Sequence, residues 1–300
     1  MTGVIAPPAA IRARDELAAP GRRGDRAGKH KNAGPFAYAV VILAVGLSLF
    51  PLYWTIVAAS HTNHEISSIP PPFLPGASFF HNVHLALRQA AIGRAILNSV
   101  IVSGVISVGT VLCCTLAGFA FAKLRFRGSG ALLALVVGTM MVPMQLGVIP
   151  LFMLVAKLHW VNHLQAVILP TLVSAFGVFF MRQYLVQALP TELIEAGWVD
   201  GASTFRIFIW IVLPIARPAM AVLGMLTFLT TWNDFFWPII ALTTRNPTVQ
   251  VALAGLGTGY VPSQAIIMAG TFVGTLPILV VFGVLGRQIV GGIMHGAVKG

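Results

Sequence analysis

Charged residues are scarce in this sequence. Only 9% of the 300 residues are Asp, Glu, Lys or Arg, whereas 57% are hydrophobic. Soluble domains carry about 25% charged residues, so the composition excludes an ordinary soluble domain. It predicts a chain whose main solvent is lipid.

Cysteine is nearly absent, and nucleotide-binding motifs are missing. Cys113 and Cys114 are adjacent in an apolar run, so they offer neither a spaced disulfide framework nor metal-type spacing. No G-x-x-x-x-G-K-[ST] segment occurs, which excludes a P-loop for nucleotide phosphates. We therefore expect no catalytic residue, metal or cofactor in this chain. If ATP drives the protein, a partner must bind it.

Six apolar segments are long enough to cross a bilayer, which takes roughly 20 residues each. We predict spans at about 36–59, 98–122, 131–155, 164–184, 211–231 and 265–285. Prolines inside such spans are tolerated because neighbouring helices satisfy the freed backbone groups. The sequence thus predicts an all-α polytopic membrane protein with one transmembrane domain over residues 35–300 and a core at about 94–287.

The 19 Lys and Arg residues are distributed unevenly. All but Arg88, Arg94, Lys157 and Arg245 lie before span one, after span two, between the end of span four and the start of span five with those two span ends included, or after span six. Lys and Arg concentrate on the cytoplasmic side of membrane proteins, so we predict that both termini are cytoplasmic. The net charge of +11 would also fit nucleic-acid binding. No basic surface interleaved with aromatic residues supports that partner, and we expect none.

Residues 1–34 are rich in Ala, Gly, Pro and Arg and show no apolar period. The basic residues continue too far for a signal peptide. We predict a disordered basic cytoplasmic tail.

The segment at about 189–214 predicts a short helix outside the membrane. Pro190 suits its first turn, and Glu192 and Glu195 favour its N-terminal end through the helix dipole. Gly201 interrupts the helix, and Ser203 is a candidate N-cap for the next one. Such an amphipathic helix either docks with a soluble partner or rests on lipid headgroups. Its acidic residues favour a partner over an anionic leaflet.

The spacing of this segment is specific. Glu195-Ala196-Gly197 is followed by Gly201 and then by Ile211-x-Leu213-Pro214. It resembles the EAA loop of permease subunits in ABC importers, whose pattern is Glu-Ala-Ala, three residues, Gly, nine residues and Ile-x-Leu-Pro. Gly197 replaces the second alanine, which should loosen the helix by about 1 kcal/mol.

Two further stretches resemble the second permease of carbohydrate importers of the maltose-transporter type. They are the segment from Trp232 to Pro238 and the C-terminal residues Gly296 to Gly300. The resemblance covers about residues 36–300. It implies the ABC type I importer permease fold in a bacterial inner membrane. It also implies a homologous second permease, two ATPase subunits that bind ATP and Mg²⁺, an extracellular solute-binding protein and a sugar substrate.

The resemblance also implies roles for individual residues. Glu195 would be a polar contact to the ATPase, Ala196 and Gly197 would permit close approach, and Gly201 would supply the turn. The remaining residues of the coupling segment would be Asp200, Ile211, Leu213 and Pro214. Lys299 would also reach the ATPase pair, unless it belongs to a frayed end.

Candidates for the substrate pathway come from two places. Trp232, Asn233 and Asp234 offer stacking and hydrogen bonding to a sugar, although Trp residues also anchor membrane interfaces. Gln145 lies in the proline-bounded third span, where a polar side chain is expected to face the bundle interior.

Three histidine pairs invite a metal-site hypothesis. His61 and His64, His81 and His84, and His159 and His163 have spacings that zinc uses. The first extracellular loop has few acidic ligands, however, and we predict no helix there to aim the rings. We expect no metal and favour surface contacts with the binding protein.

Three other functions would require features of their own. An ion-gradient-driven secondary transporter would need ionisable residues inside its spans, and the predicted spans have almost none in their centres. A membrane-embedded enzyme would need a cluster of His, Asp or Glu there. An ABC importer for a non-sugar solute, such as a glycerol phosphate compound, remains an alternative.

Overall fold

The computed structural model describes residues 34–258 and 262–297, and within those ranges every regular element is a helix. Two predicted features lie outside the described residues: the tail at residues 1–33 and Lys299. The described residues divide into two units at the boundary between residues 49 and 50. In chain order the helices are α1 (Pro35–Ala59), α2 (Asn63–Ile66), α3 (Phe79–Gln89), α4 (Ile92–Lys123), α5 (Ser129–Thr139), α6 (Val148–Lys157), α7 (Gln165–Thr171), α8 (Ala175–Ala188), α9 (Thr191–Val199), α10 (Thr204–Ile207), α11 (Leu213–Trp232), α12 (Phe236–Ala241), α13 (Val249–Leu256) and α14 (Gln264–Ala297).

Four stretches are continuous, long and apolar enough to cross a membrane. They are Pro35–Ala59, Ile92–Lys123, Thr204–Trp232 and Gln264–Val284. They coincide with the first, second, fifth and sixth predicted spans. If each of two bent helix pairs also counts as one span, the described residues hold up to six.

The predicted third span is not a straight helix. Helix α5 ends at Thr139, and a 3₁₀ turn at Met144–Gly147 leads into α6, with a bend of 92° between the two halves. Pro143 disfavours the helical conformation at the residue before it, so the chain leaves the helix there. The predicted fourth span consists of α7 and α8, which meet at a milder bend of 41°.

Helix α4 is central to the bundle, because it packs along both α8 and α11. Glycines bring α4 and α8 close together. A Cβ on Gly118 would lie 2.8 Å from the Met181 Cβ, and a Cβ on Gly177 would lie 2.7 Å from the Cys114 Sγ. Small residues at such contacts allow membrane helices to approach closely.

The largest apolar cluster joins α4, α8 and α9 to the helical run that starts at α10. Its buried members are Cys114, Phe119, Val178, Met181, Leu185, Leu189, Ile194, Ile207, Phe208, Val212, Ala216, Ala219 and Leu223. The predicted coupling segment is therefore part of the core packing.

Three asparagines tie loops together near the N-terminal end of α4. The Asn162 Oδ1 accepts hydrogen bonds from the Thr243 N–H (3.1 Å) and hydroxyl (2.7 Å). The Asn246 side-chain amide donates to the Asn162 carbonyl at 3.2 Å, and the Asn98 amide donates to the Asn246 Oδ1 at 3.0 Å. We call Asn98, Asn162 and Asn246 the asparagine clasp. It fixes the loops before α7 and α13 to α4.

Candidate functional site

Helix α9 begins where the sequence predicts. Pro190 is its N-cap residue in an extended conformation, and Glu192 lies in its first turn. The Lys123 Nζ donates to the Thr191 hydroxyl at 3.3 Å, which joins the end of α4 to the start of α9. Two attachments therefore hold α9, this hydrogen bond and the apolar cluster.

The two faces of α9 differ in what they contact. Ile194 and Gly197 are buried, with Ile194 inside the main apolar cluster. Glu195, Ala196 and Asp200 are exposed. The other exposed residues include Glu192, Leu193, Trp198 and Val199. The surface therefore combines three carboxylates with apolar side chains and fits a partner that offers both basic and apolar groups.

Gly197 faces the protein interior, away from the exposed surface on which Ala196 lies. A Cβ at Gly197 would lie 3.1 Å from both Cδ1 and Cγ1 of Ile207. The expected close approach at Gly197 is thus made to Ile207 of the same chain. Sequence reasoning missed this because the pattern alone does not show which face of α9 the bundle covers.

Gly201 ends α9 in a Schellman motif. Its φ of +75° lies in the left-handed region that favours glycine. The Gly201 N–H donates to the Trp198 carbonyl at 3.0 Å, and the Ala202 N–H donates to the Gly197 carbonyl at 2.9 Å. A Cβ on Gly201 would meet no atom within 4 Å, so the glycine serves the backbone conformation and not the packing of this chain.

The next helix starts with the predicted cap. The Ser203 hydroxyl accepts from the Arg206 N–H at 3.3 Å. A π turn at Phe208–Val212 follows and leads into α11, where Pro214 lies in the first turn. Pro214 has no N–H for the Trp210 carbonyl, which accounts for a wider turn at this point. Ile211 and Leu213 are half-buried against the apolar cluster.

Trp232 and Asn233, two candidates for the substrate pathway at the end of α11, differ in burial. Trp232 is 1% exposed and stacks on Phe228 with ring centroids 5.6 Å apart. It therefore packs in the interior and offers no ring face to a sugar. Asn233 is exposed, and its amide donates to the Leu229 carbonyl at 2.8 Å.

Asp234 is half-buried at the turn between α11 and α12. Its Oδ1 accepts from the Phe236 N–H at 3.1 Å. Burial raises the pKa of Asp234, while backbone hydrogen bonds from Trp237 and Phe236 act in the opposite direction. This carboxyl stabilises the start of α12 and can also accept from a solute hydroxyl.

Gln145 lies in the 3₁₀ turn at the break between α5 and α6 and is exposed. Among the described residues, no hydrogen bond joins it to the turn that holds Asn233 and Asp234.

Three of the six histidines in the candidate pairs lie on helices that the sequence did not predict, whereas His61, His159 and His163 lie in turns or loops. His64 is part of α2, and His81 and His84 are part of α3, so the expectation of a helix-free loop was wrong. Amphipathic spacing of Phe79, Val83 and Ala86 was the available signal. In the parts of the chain that the structure describes, no group of three His, Cys, Asp or Glu residues is arranged to hold a metal ion.

Comparison with known proteins identifies the family. A family model described as the inner membrane component of binding-protein-dependent transport systems matches residues 114–292. The chain belongs to this family. The match covers the predicted coupling segment and agrees with the resemblance seen in its spacing, and membership places this chain in the inner membrane as a transport component.

Relatives match along most of the chain. The lactose transport system permease protein of Rhizobium radiobacter is 34% identical over 263 residues, 87% of this chain and 95% of that protein. The arabinooligosaccharides transport system permease protein of Halalkalibacterium halodurans is 34% identical over 258 residues, 85% of this chain and 92% of that protein. The sn-glycerol-3-phosphate transport system permease protein of Escherichia coli is 29% identical over 269 residues, 86% of this chain and 95% of that protein.

A solved structure confirms the fold. The chain aligns with a bacterial ABC transporter involved in the import of the acidic polysaccharide alginate, with a TM-score of 0.70 at 20% identity. The alignment covers 84% of this chain and 95% of that chain. The chain therefore has the fold of an ABC importer permease.

Proposed function

We propose that this family member is one of two permease subunits of an ATP-driven importer for a sugar or oligosaccharide. The two relatives at 34% identity are permeases named for lactose and for arabinooligosaccharides, and each aligns over most of its length. The proposed partners are a homologous second permease, two ATPase subunits that bind ATP and Mg²⁺, and an extracellular solute-binding protein.

The proposed topology has six spans with both termini in the cytoplasm. The two bent pairs supply the third and fourth crossings. Lys and Arg mark the cytoplasmic side, and α9 is on that side together with the C-terminal end of α4, where Lys123, Arg125 and Arg127 lie. The apolar composition implies lipid contact as well.

The observation that carries the coupling role is the two-faced geometry of α9. Its exposed face presents Glu195, Ala196 and Asp200, while Ile194 and Gly197 anchor the same helix to the bundle core. A force applied to the exposed face by an ATPase would pass through Ile207 into α11. ATP hydrolysis on the partner would then switch the bundle between inward-open and outward-open states.

An importer of a glycerol phosphate compound is the second candidate, favoured by the Escherichia coli relative. A phosphate-bearing solute calls for basic residues along the pathway. The turn after α11 instead offers Asn233 and the carboxyl of Asp234, a pair that fits hydroxyl groups better than a phosphate. Equilibrium binding of sugars and of glycerol 3-phosphate to the cognate binding protein separates the two candidates.

Substitution of Gly201 tests the coupling role. Gly201→Asp places a charged side chain at the end of the docking face, where this chain leaves open space. We expect wild-type amounts in the membrane and loss of ATP-dependent solute uptake. Gly201→Asn is the matched control, because Asn also tolerates the left-handed region and adds no charge. Normal uptake by well-expressed Gly201→Asp would contradict the coupling role.

A further inference from the structure

An apolar groove opens between the C-terminal half of α4 and the start of the α10–α11 run. Its volume is about 480 Å³, which lies within the range of small-molecule sites. Its lining includes Cys113, Leu116, Ala117, Leu124, Phe205 and Phe208. Nothing in the proposed transport mechanism uses this groove.

Aromatic rings form one wall of the groove. Phe119 and Phe208 are both buried, with ring centroids 5.9 Å apart, and Phe205 lies 6.5 Å from Phe208. Phe208 belongs to the π turn inside the proposed coupling segment. A molecule in the groove would therefore touch the part of the chain through which α9 is connected to α11.

The length of the groove matches one membrane leaflet. Leu124 lies just after α4, and Cys113 lies eleven residues earlier on the same helix, a rise of roughly 16 Å. Half of the hydrocarbon core of a bilayer is about 15 Å thick. The groove therefore runs from headgroup level to near the middle of the bilayer.

The headgroup end of the groove is flanked by positive charge. Arg125 follows Leu124, Arg206 follows Phe205, and both are exposed. None of the lining residues is Asp or Glu, and the acidic residue nearest to Arg206 in the sequence is Asp200 at the end of α9. Arg and Lys at the cytoplasmic end of membrane helices attract anionic phospholipids. The same charge disfavours the N-terminal tail as occupant, since that tail is itself rich in Arg.

We infer that this groove binds an anionic phospholipid of the cytoplasmic leaflet. One acyl chain lies against Leu116, Phe205 and Phe208, and the headgroup phosphate is bound by Arg125 and Arg206. The site rests on the orientation given under Proposed function. Because the acyl chain contacts Phe208, lipid occupancy would affect how freely the coupling segment moves against α4.

Native mass spectrometry of the purified full-length chain tests this site. The probes are phosphatidylglycerol and phosphatidylcholine with the same acyl chains. Ala117→Phe fills the groove, and Val108→Phe adds the same ring at a 62%-exposed position of α4 outside it. We expect Ala117→Phe to lose one retained phosphatidylglycerol, whereas Val108→Phe retains as many as the wild type. Equal retention by both variants would overturn the proposal.

Substitution of the two arginines tests the headgroup contact. We expect Arg125→Gln with Arg206→Gln to weaken phosphatidylglycerol binding about 30-fold and to leave phosphatidylcholine binding unchanged. The control pair, Arg88→Gln with Arg245→Gln, lies on the predicted extracellular side and should change neither. Equal effects of the two pairs would overturn the proposal.

Two other outcomes would assign the groove to a different occupant. Stronger lipid binding after deletion of residues 1–33 would assign it to the tail, and loss of binding on assembly with the second permease would assign it to the subunit interface. Both would overturn the lipid site. If the transporter takes up solute but fails these lipid tests, only the lipid site is contradicted. If Gly201→Asp takes up solute normally, only the coupling role is contradicted.

Discussion

Single residues on α9 have separate tasks that their positions define. Gly201 supplies a backbone conformation, Gly197 supplies space for Ile207, and Glu195 supplies exposed charge. The first task was predictable, because a glycine after an apolar helical ridge commonly ends a helix in the left-handed region. The second was not, because it depends on which neighbour covers the helix.

Gly197 provides the sharpest packing prediction. Gly197→Leu should destabilise the protein by about 1–3 kcal/mol, because the larger side chain overlaps Ile207. Gly197→Ala should change stability by less than about 1 kcal/mol, since the gain in helix propensity offsets the tight 3.1 Å contact. Thermal unfolding of the purified variants measures both. Equal unfolding temperatures for Leu and Ala would show that α9 does not pack on Ile207.

Asp234 gives a prediction about pH. Its folded-state pKa is raised above the ordinary 3.8 by burial, so the folded state holds this proton more tightly than the unfolded state. The contribution of this group to stability therefore falls as pH rises above 3.8.

Asp234→Asn keeps an oxygen for the Phe236 N–H and removes the titration. The unfolding temperature of the variant, relative to wild type, should rise between about pH 4 and pH 7. A constant difference would contradict the raised pKa.

At the scale of elements, the sequence predicted a helix or a cap correctly where the residues that determine it lie within one short segment. Helix α9, its glycine stop and the Ser203 cap follow from residues within one short segment. The 92° bend in the predicted third span was not foreseen, because Pro143 was treated as a tolerated proline although the chain leaves α5 shortly before it. The interior position of Trp232 depends on packing between α11 and its neighbours, which apolar spacing along one helix does not specify.

The asparagine clasp gives a prediction at this scale. Asn162 has φ +64° and accepts two hydrogen bonds from Thr243. Asn162→Ala removes that acceptor and places alanine in the left-handed region, so we expect a loss of about 2–4 kcal/mol in unfolding free energy. Asn162→Asp retains the acceptor and tolerates this conformation, so it should cost less than half as much. Chemical denaturation of both variants measures the difference, and similar losses would contradict the clasp.

At the scale of the whole molecule, the proposed function makes this chain one of several subunits of a transporter. Its family and fold identify an inner membrane transport component, and the sequence contains no P-loop. Under the proposed function, energy enters through contact with an ATPase subunit. The helix α9 is exposed on one face and anchored on the other, which makes it the described element best placed for that contact. The groove beside Phe208 adds a second input, from the surrounding lipid, to the same segment.

Photo-cross-linking from position 195 tests the coupling claim most directly. In a Cys113→Ser, Cys114→Ala background, Glu195→Cys is labelled with a benzophenone reagent in membranes that contain the complete transporter. Arg245→Cys, on the predicted extracellular side, is the matched control. We predict an illumination-dependent adduct with the ATPase subunit from position 195 and none from position 245. Intact ATP-dependent uptake with no ATPase adduct at position 195, or equal adducts at both positions, would contradict the proposal that α9 contacts the ATPase.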